Sequence, residues 1–219
     1  MTRLLVSHIR ACVARSLSRY LAQPVSRPAA SGGVLALSPL LRPGDVLALS
    51  ALLRPSDVLL TEGNTRAGAL VRRLSRSLWA HVSIYVGPLE AGGNPRCIVE
   101  ADISAGVRAV PLSQFNGQRA RIVRPLGLNE TDRRRLADWL VHHIGDPYDL
   151  AHAWALCRWF LRLPAPRTMV LDAKRFICSS LLVQAFLFVG HPIATRQARS
   201  VVPRDFESAA GFEVVTALG

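Results

Sequence analysis

The feature that most constrains the fold is an apolar stretch late in the chain, from Phe176 to Val189. Its apolar residues fall on nearly every side of a helical projection, and they are interrupted mainly by Cys178, two serines and Gln184. A helix that lacks a polar face belongs inside a protein core. The other elements of the chain must therefore pack around this helix and cover it.

Cys178 lies at the predicted first turn of this helix, shortly after the cations Lys174 and Arg175. A free thiol has a pKa of about 8.5, so only a small fraction is ionised at neutral pH. The N–H groups and the positive dipole at the start of a helix favour the thiolate, as nearby cations do. The position therefore suits a nucleophile, and a cysteine that only fills the core is the alternative.

The length of 219 residues predicts one domain with extensions, and the 50% of apolar residues is enough for a sizeable core. The sequence contains no run of 18 apolar residues, so we expect no membrane-spanning helix. Cys12, Cys97, Cys157 and Cys178 show neither a CxxC pair nor the spacing of a metal site. They are interpreted as reduced thiols of an intracellular protein, and neither a metal nor a cofactor is expected.

The formal net charge of +12 comes almost wholly from arginine, since Lys174 is the only lysine. Arginine binds phosphate through its planar fork of donors, which brings nucleic acids and anionic membrane surfaces into consideration. The arginines are scattered, however, and no zinc-finger or RNA-recognition signature accompanies them. The composition therefore argues against specific nucleic-acid binding and leaves a membrane surface open.

Residues 3–22 are predicted to form a basic amphipathic helix, and the composition of residues 24–33 is typical of a linker. The apolar stripe of the helix consists of Leu5, Ile9, Val13, Leu17 and Tyr20. Arginines interrupt it too often for a secretory signal, but the pattern suits a helix on an anionic membrane surface. A helix that packs on the domain is the alternative. We treat residues 1–33 as an arm, through which an intracellular protein would attach to a membrane surface.

A local duplication follows the arm. Residues 38–47 (SPLLRPGDVL) are echoed twelve positions later by residues 50–59 (SALLRPSDVL). Two copies are too few for a solenoid, and the second copy runs directly into the predicted first strand. We assign residues 34–49 to the duplicated segment and residues 50–219 to the domain.

The alternation of apolar and polar residues predicts a meander of short strands with helices before and after it. Asn64 is the predicted cap of a helix over residues 65–77, and Asn129 caps a second helix that stops at Gly145. A Trp-rich helix ends before Pro164. The predicted strands are Asp57–Thr61, Ala80–Val86, Cys97–Asp102, Gly106–Val110, Ala120–Val123 and Phe212–Thr216.

His81 is the histidine best suited to serve as a base for Cys178. It opens a strand and shares a polar face with Ser83. In the next strand Glu100 and Asp102 share a face, and a hairpin between the two strands would bring one of them within reach of His81. A carboxylate there would hold the imidazole in one tautomer. Spacing alone does not choose between Glu100 and Asp102.

The motifs follow one order along the chain: LRPSDVLL, AHVSIYVG, IVEA, GV, PYD and FICS, which begin at Leu53, Ala80, Ile98, Gly106, Pro147 and Phe176. This order resembles the circularly permuted NlpC-type papain-like hydrolases, the YiiX/YaeF group, which are relatives of lecithin:retinol acyltransferase. In ordinary papain-like enzymes the cysteine helix precedes the histidine strand. Here His81 precedes Cys178, as in the permuted branch. The resemblance covers about residues 50–190.

The resemblance implies an α+β, permuted papain-like fold in which an antiparallel sheet packs on the buried cysteine helix. It implies Cys178 as the nucleophile, His81 as the base and Glu100, in preference to Asp102, as the third member of a triad. The candidate substrate-binding residues are Tyr148, Ser83 and Ser179.

The implied chemistry is cleavage of an amide or ester bond in a lipid or peptide substrate, through an acyl-enzyme and without a metal or cofactor. A lipid acyltransferase and a catalytically idle module that binds a membrane surface are the alternatives. Two positions depart from the family pattern. Ser180 stands where the family carries a glutamate two residues after the cysteine, and Ser56 replaces the glycine of a Pro-Gly-Asp turn.

Overall fold

The computed structural model of the chain describes residues 16–25, 50–163, 175–193 and 201–215. Within these residues, six strands form one antiparallel sheet with the order β4-β3-β2-β1-β5-β6. The strands are β1 (Val58–Thr61), β2 (His81–Tyr85), β3 (Arg96–Asp102), β4 (Gly106–Pro111), β5 (Ala120–Pro125) and β6 (Phe212–Val215). All six predicted strands are present, and the predicted hairpin of the His81 and Glu100 strands is the pair β2–β3.

Helices cover the sheet and complete the α+β class predicted from the sequence. They are α1 (Arg66–Ser75), α2 (Glu130–His142), α3 (Leu150–Phe160), α4 (Cys178–Phe188) and α5 (Asp205–Ser208), with a 3-10 turn at Leu112–Phe115. None of the helices in the described part of the chain is long and apolar enough to cross a bilayer.

Of the two N-terminal helix caps predicted from the sequence, one is confirmed and the other is wrong. Asn129 caps α2 as predicted, because its side chain accepts a hydrogen bond from the backbone N–H of Asp132 at 2.8 Å. The cap of α1 is Thr65, not Asn64 as predicted. The Thr65 hydroxyl accepts from the N–H of Gly68 at 3.1 Å, and its extended backbone places it directly before the first helical residue.

Helix α4 is the centre of the larger apolar cluster, as its composition predicts. It packs on the sheet face that carries Val82, Ile84 and Val99, and its own residues from Ser179 to Phe186 are mostly buried. Only the last turn differs from the prediction, because Leu187 and Phe188 are about half exposed. The hydrophobicity of this stretch therefore fixes its burial except at its C-terminal end.

A second apolar cluster covers the opposite face of the sheet. Its members are Leu53, Leu59, Tyr85, Cys97, Ile98, Val110, Leu112, Phe115, Ala120 and Ile122. Since side chains alternate along a strand, His81, Ser83 and Glu100 belong to this second face. The polar face predicted for the His81 strand is thus an inner face of the protein.

The turn before β1 retains its shape without the glycine of the family pattern. Ser56 has a φ of 82°, a conformation that favours glycine. Its hydroxyl accepts a hydrogen bond from Arg133. The neighbouring carboxylate of Asp57 is fully buried and receives two bonds from Arg124, Nε to Oδ1 at 2.8 Å and Nη2 to Oδ2 at 2.7 Å. These side-chain contacts stabilise a turn that glycine would form with less strain.

The end of the predicted arm contacts the domain. Residues 16–22 are helical, and Pro24 forms an isolated antiparallel bridge with Thr65. The N–H of Val25 donates to the carbonyl of Asn64 at 2.8 Å. Residues 24 and 25, predicted as the beginning of a linker, therefore pair with the domain. The rest of the predicted arm, linker and first duplicated copy lies outside the described residues.

Gly106 joins the β3–β4 hairpin to the segment that leads into α3. It has a φ of 75°, and a Cβ atom there would collide with the carbonyl oxygen of Asp146. The adjacent backbone pairs closely, since Val107 N–H donates to Asp146 O and Gly145 N–H donates to Val107 O, each at 2.8 Å. This contact fixes the path of the chain just before Tyr148.

We predict that Gly106→Ala destabilises the protein more than Gly117→Ala, which serves as its matched control. Gly117 has the same φ of 75°, but no atom of the described residues lies within 4 Å of its ideal Cβ. Both variants carry the cost of a left-handed backbone, about 1–2 kcal/mol, and only Gly106→Ala adds a steric clash of about 1–3 kcal/mol. Urea unfolding measures the difference, and equal losses in the two variants would contradict the proposed close contact.

Candidate active site

A cavity of about 170 Å³ lies where the ends of β1 and β3 and the start of β2 meet the first turn of α4. The loop from β1 to α1 and residues next to the 3-10 turn complete its wall. The side chains with reactive or hydrogen-bonding groups in this wall include Thr61, His81, Glu100, Arg108, Gln114, Gln118, Tyr148 and Cys178. Each predicted triad residue thus contributes to one cavity.

His81 and Glu100 contact each other directly. Nε2 of His81 lies 2.8 Å from Oε2 of Glu100, whose side chain is only 4% exposed, whereas that of His81 is 21% exposed. The other carboxylate oxygen, Oε1, accepts from Nε and Nη2 of Arg108 at 3.0 and 2.8 Å and from Nε2 of Gln114 at 3.2 Å. Both oxygens of Glu100 are therefore fixed, and the imidazole ring is held by a rigid acceptor.

Asp102, the rival carboxylate, has a different set of partners. Its Oδ1 accepts from the backbone N–H groups of Ser104 and Ala105 at 2.9 Å each and from the Ser104 hydroxyl at 2.6 Å. Its Oδ2 lies 3.3 Å from Nη2 of Arg108. Asp102 thus shapes the β3–β4 turn, and Glu100 is the carboxylate that contacts His81.

Cys178 is the first residue of α4, as predicted. Ile177 precedes it as the extended N-cap residue, and the N–H of Ile177 donates to the hydroxyl of Ser180 at 3.0 Å. A glutamate at the third helical position commonly makes this reciprocal capping contact. Ser180 therefore supplies the contact with a shorter side chain, which explains how the helix start tolerates this departure from the family pattern.

Tyr148 reaches the cavity because its segment pairs with the residues before Cys178. Tyr148 forms an isolated parallel bridge with Phe176, and the N–H of Asp149 donates to the carbonyl of Phe176 at 3.0 Å. Burial, followed by the charge of Cys178, raises the pKa of Tyr148 well above its ordinary value. The phenol is therefore neutral at physiological pH and keeps its proton as a hydrogen-bond donor.

The electrostatics of the site favour a charged His81. Burial lowers the pKa of His81, but hydrogen bonds to Cys178 and Glu100 and the charges of both groups raise it to about 10. Since Nε2 faces Glu100, Nδ1 is the ring nitrogen left for the thiol. A thiolate and an imidazolium stabilise each other in this arrangement, which is the reactive pair of a cysteine nucleophile.

The carboxylate of Glu100 remains ionised in spite of its burial. Burial raises the pKa of Glu100, but the hydrogen bond and charge of His81 and the charge and hydrogen bonds of Arg108 lower it overall. Glu100 therefore stays negative over the neutral range. It can orient the imidazole and stabilise its positive form without taking its proton.

Comparison with known proteins agrees with this geometry. A family model described as permuted papain-like amidase enzymes, the YaeF/YiiX or C92 family, matches residues 53–210. The chain belongs to this family. Its fold also resembles the crystal structure of the metalloprotein YiiX from Escherichia coli O157:H7, with a TM-score of 0.55 and 15% sequence identity, over 74% of this chain and 96% of that one. A comparison with curated proteins finds no match.

A metal site would need several ligands close together. Among the described residues, no group of three or more His, Cys, Asp and Glu side chains is arranged to hold a metal ion. The partners of the Glu100 carboxylate are His81, Arg108 and Gln114. Arg108 is a donor only, and His81 is one in its protonated form. The residues present in the cavity therefore do not fit a metal.

The remaining predicted site residues divide into two groups. Tyr148 lines the cavity, whereas Ser83 and Ser179 are buried at 0% and 1% exposure and do not line it. Sequence reasoning missed Arg108, although it lies directly opposite Glu100 in the β3–β4 pair. Opposite charges at paired positions of a hairpin stabilise each other. Pairing the Glu100 strand with the next predicted strand would therefore have indicated this residue.

We predict that the His81 imidazolium depends on Glu100 and not on Asp102. In nitrogen-15 NMR titrations, His81 should keep both ring protons above pH 8 and lose one near pH 10, because its pKa is raised to about 10. Glu100→Gln should lower this midpoint by at least about one pH unit. Asp102→Asn is the matched control and should move it much less, so an equal shift in both variants would contradict the assignment.

We also predict that iodoacetamide labels Cys178 before the other described cysteines at pH 6. Burial raises the pKa of Cys97 and of Cys157, whereas Cys178 lies beside the imidazolium of His81. Peptide mapping over time gives the order of labelling. The selectivity should disappear in His81→Ala, and rapid labelling of Cys97 or Cys157, or an unchanged rate in His81→Ala, would oppose the prediction.

Proposed function

We propose that this protein is a cysteine amidase in which Cys178 is the nucleophile, His81 the acid and base, and Glu100 the orienting carboxylate. The observation that carries the proposal is that His81, hydrogen-bonded to Glu100, lines the same cavity as Cys178. Cys178 and Glu100 together raise the pKa of His81 to about 10. Membership of the permuted papain-like amidase family supports an amide as the scissile bond. Ester bonds are accessible to the same chemistry.

In the acylation step, the Cys178 thiolate attacks the carbonyl carbon of the scissile bond. The carbonyl oxygen becomes an oxyanion, for which the backbone N–H of Cys178 is a suitable donor, since N–H groups of a first helical turn lack acceptors within the helix. The tetrahedral intermediate collapses to a thioester. His81 gives its Nδ1 proton to the leaving amine, which departs neutral, and the ring becomes neutral too.

In the deacylation step, neutral His81 takes a proton from water as the water oxygen attacks the thioester carbonyl. The thiolate leaves, the acid product is released and the thiolate–imidazolium pair is restored. An alcohol or amine in place of water would make the protein an acyltransferase. The imidazolium persists at neutral pH and is lost as the pH rises through about 10, so the acylation rate should fall there.

Kinetic analysis of p-nitrophenyl acetate hydrolysis tests the assignment of roles. We expect Cys178→Ala and His81→Ala to lose at least about 10⁴-fold in kcat/KM. Glu100→Gln should keep partial activity, with a loss of about 10²- to 10⁴-fold, because orientation is weakened while the base remains. Far-UV circular dichroism should show that each variant is folded.

Cys157→Ala is the matched control for this experiment, because Cys157 lies on α3 and outside the cavity lining. It should retain the activity of the unmodified protein. A folded Cys178→Ala variant with unchanged turnover would reject the cysteine mechanism. Absence of turnover in the folded, unmodified protein would favour the alternative in which the domain is an idle binding module.

We further propose that the arm, residues 1–33, attaches the enzyme to an anionic membrane surface. Leu17 belongs to the predicted apolar stripe of the arm helix and is 50% exposed. Tyr20 of the same stripe is 53% exposed, although its ring also contacts Arg66 of the domain at 4.1 Å. Exposed apolar side chains of this kind are available for a lipid interface. The arm contains five arginines and no acidic residue, and each cation near an anionic leaflet contributes about 1 kcal/mol.

Vesicle co-sedimentation tests the membrane proposal. The full chain should bind anionic phosphatidylserine vesicles at low salt and lose this binding at high salt. A chain that starts at Ser16 keeps the segment paired with the domain but lacks Arg3, Arg10 and Arg15, and it should bind much less. Equal binding of both chains, or equal binding to zwitterionic vesicles, would contradict the role of the arm.

A further inference from the structure

Thr61 is a fully buried residue in the cavity wall whose hydroxyl has no hydrogen-bond partner among the described residues. It ends β1 and lies opposite His81 on one side and Ala120 on the other. Thr61 is therefore the strand residue paired with the proposed catalytic histidine. An unpaired polar group at this place needs an explanation, because nearly all buried polar atoms in proteins have partners.

A buried hydroxyl without a partner is unfavourable to the free protein. Its desolvation is not compensated, and valine would fill the same space without that cost. A polar group of a ligand that enters the cavity would supply the missing partner. The orphan hydroxyl is thus a feature that disfavours the empty site and favours an occupied one.

A second polar side chain borders the same part of the cavity. Gln118 is only 9% exposed and lines the cavity with Thr61. The strand pairing brings the two residues close in the fold, because Thr61 lies opposite Ala120 in the β1–β5 pair and Glu62 N–H donates to Arg119 O at 3.2 Å. A hydroxyl and a carboxamide both donate and accept hydrogen bonds, which matches the two groups of an amide.

We propose that Thr61 and Gln118 form a subsite for a hydrogen-bonding group in the acyl part of the substrate, next to the scissile carbonyl. The inference rests on the proposed function, since it assumes that the acyl part occupies this cavity. It assigns the substrate to the peptide-like acyl donors, whose acyl group carries an amide one residue from the scissile bond.

The size of the cavity agrees with this substrate class. Its volume of about 170 Å³ lies below the roughly 300–1,000 Å³ of pockets that hold drug-sized ligands, which suits a short acyl group. The polar wall of Thr61 and Gln118 would leave its groups unpaired against a hydrocarbon chain. A long fatty acyl group is thus the poorer occupant.

Two p-nitrophenyl esters of similar length test the subsite. N-Acetylglycine p-nitrophenyl ester carries an amide in its acyl group, and p-nitrophenyl pentanoate carries methylenes in the same place. For each protein, the kcat/KM of the amide ester is divided by the kcat/KM of the pentanoate ester. Comparing this ratio between wild type and each variant cancels the intrinsic reactivity of the two esters. Thr61→Val should lower the preference for the amide ester about tenfold, the effect of one hydrogen bond.

Three further results distinguish a binding role from a structural one. The melting temperature of Thr61→Val should not fall, because valine removes an unpaired hydroxyl without changing the shape of the side chain. Its pentanoate activity should change less than its activity on the amide ester. Thr61→Ser should retain the amide preference. Gln118→Leu should also lose part of the preference for the amide ester. This second variant tests the proposal even if Thr61→Val does not fold. Asn116→Ala is the control, since Asn116 has a buried side-chain oxygen without a partner in the described part of the chain, and it lies outside the cavity wall.

The possible failures have separate meanings. If both esters acylate Cys178 but no variant changes the double ratio, the subsite is rejected and the cysteine mechanism stands. An equal loss of both activities in Thr61→Val would assign the residue to the support of His81 and also reject the subsite. If neither ester reacts at Cys178, the proposed function itself fails, and the subsite with it.

Discussion

The contact between Glu100 and His81 is the interaction on which the rest of the site depends. A carboxylate that is 4% exposed would be neutral unless nearby cations stabilised its charge. His81 and Arg108 supply that charge from the two sides, at 2.8 Å each. The imidazolium in turn depends on Glu100 and Cys178 for its raised pKa. Glu100 and His81 therefore support each other's charge.

The fold brings these groups together through backbone pairing. The β2–β3–β4 meander aligns His81, Glu100 and Arg108, and helix α4 brings Cys178 to the end of the sheet because its apolar residues pack on β2 and β3. The close backbone approach at Gly106 and the bridge to Phe176 position the segment that contains Tyr148. Contacts distant from the reacting atoms thus determine the geometry of the cavity.

Much of this arrangement is predictable from the sequence, and the limits have physical reasons. Periodicity and composition predicted the strands, the buried helix and the hairpin of His81 and Glu100, because burial of apolar faces determines these features. Spacing alone did not choose between Glu100 and Asp102, because both share a face, and the family resemblance favoured Glu100. In the structure, local turn bonds assign Asp102 to Ser104 and Ala105. The sequence does not reveal that the Thr61 hydroxyl is unpaired, because this depends on which groups surround it in the folded chain.

The most direct test of the account is the trapping of the acyl-enzyme. Intact-protein mass spectrometry after a short reaction with p-nitrophenyl acetate should show one acetyl group, which peptide mapping assigns to Cys178 and which disappears as the thioester hydrolyses. The adduct should not form in Cys178→Ala and should form far more slowly in His81→Ala. An adduct on another residue, or one that forms equally fast without His81, would contradict the assignment of Cys178 and His81 as the reactive pair.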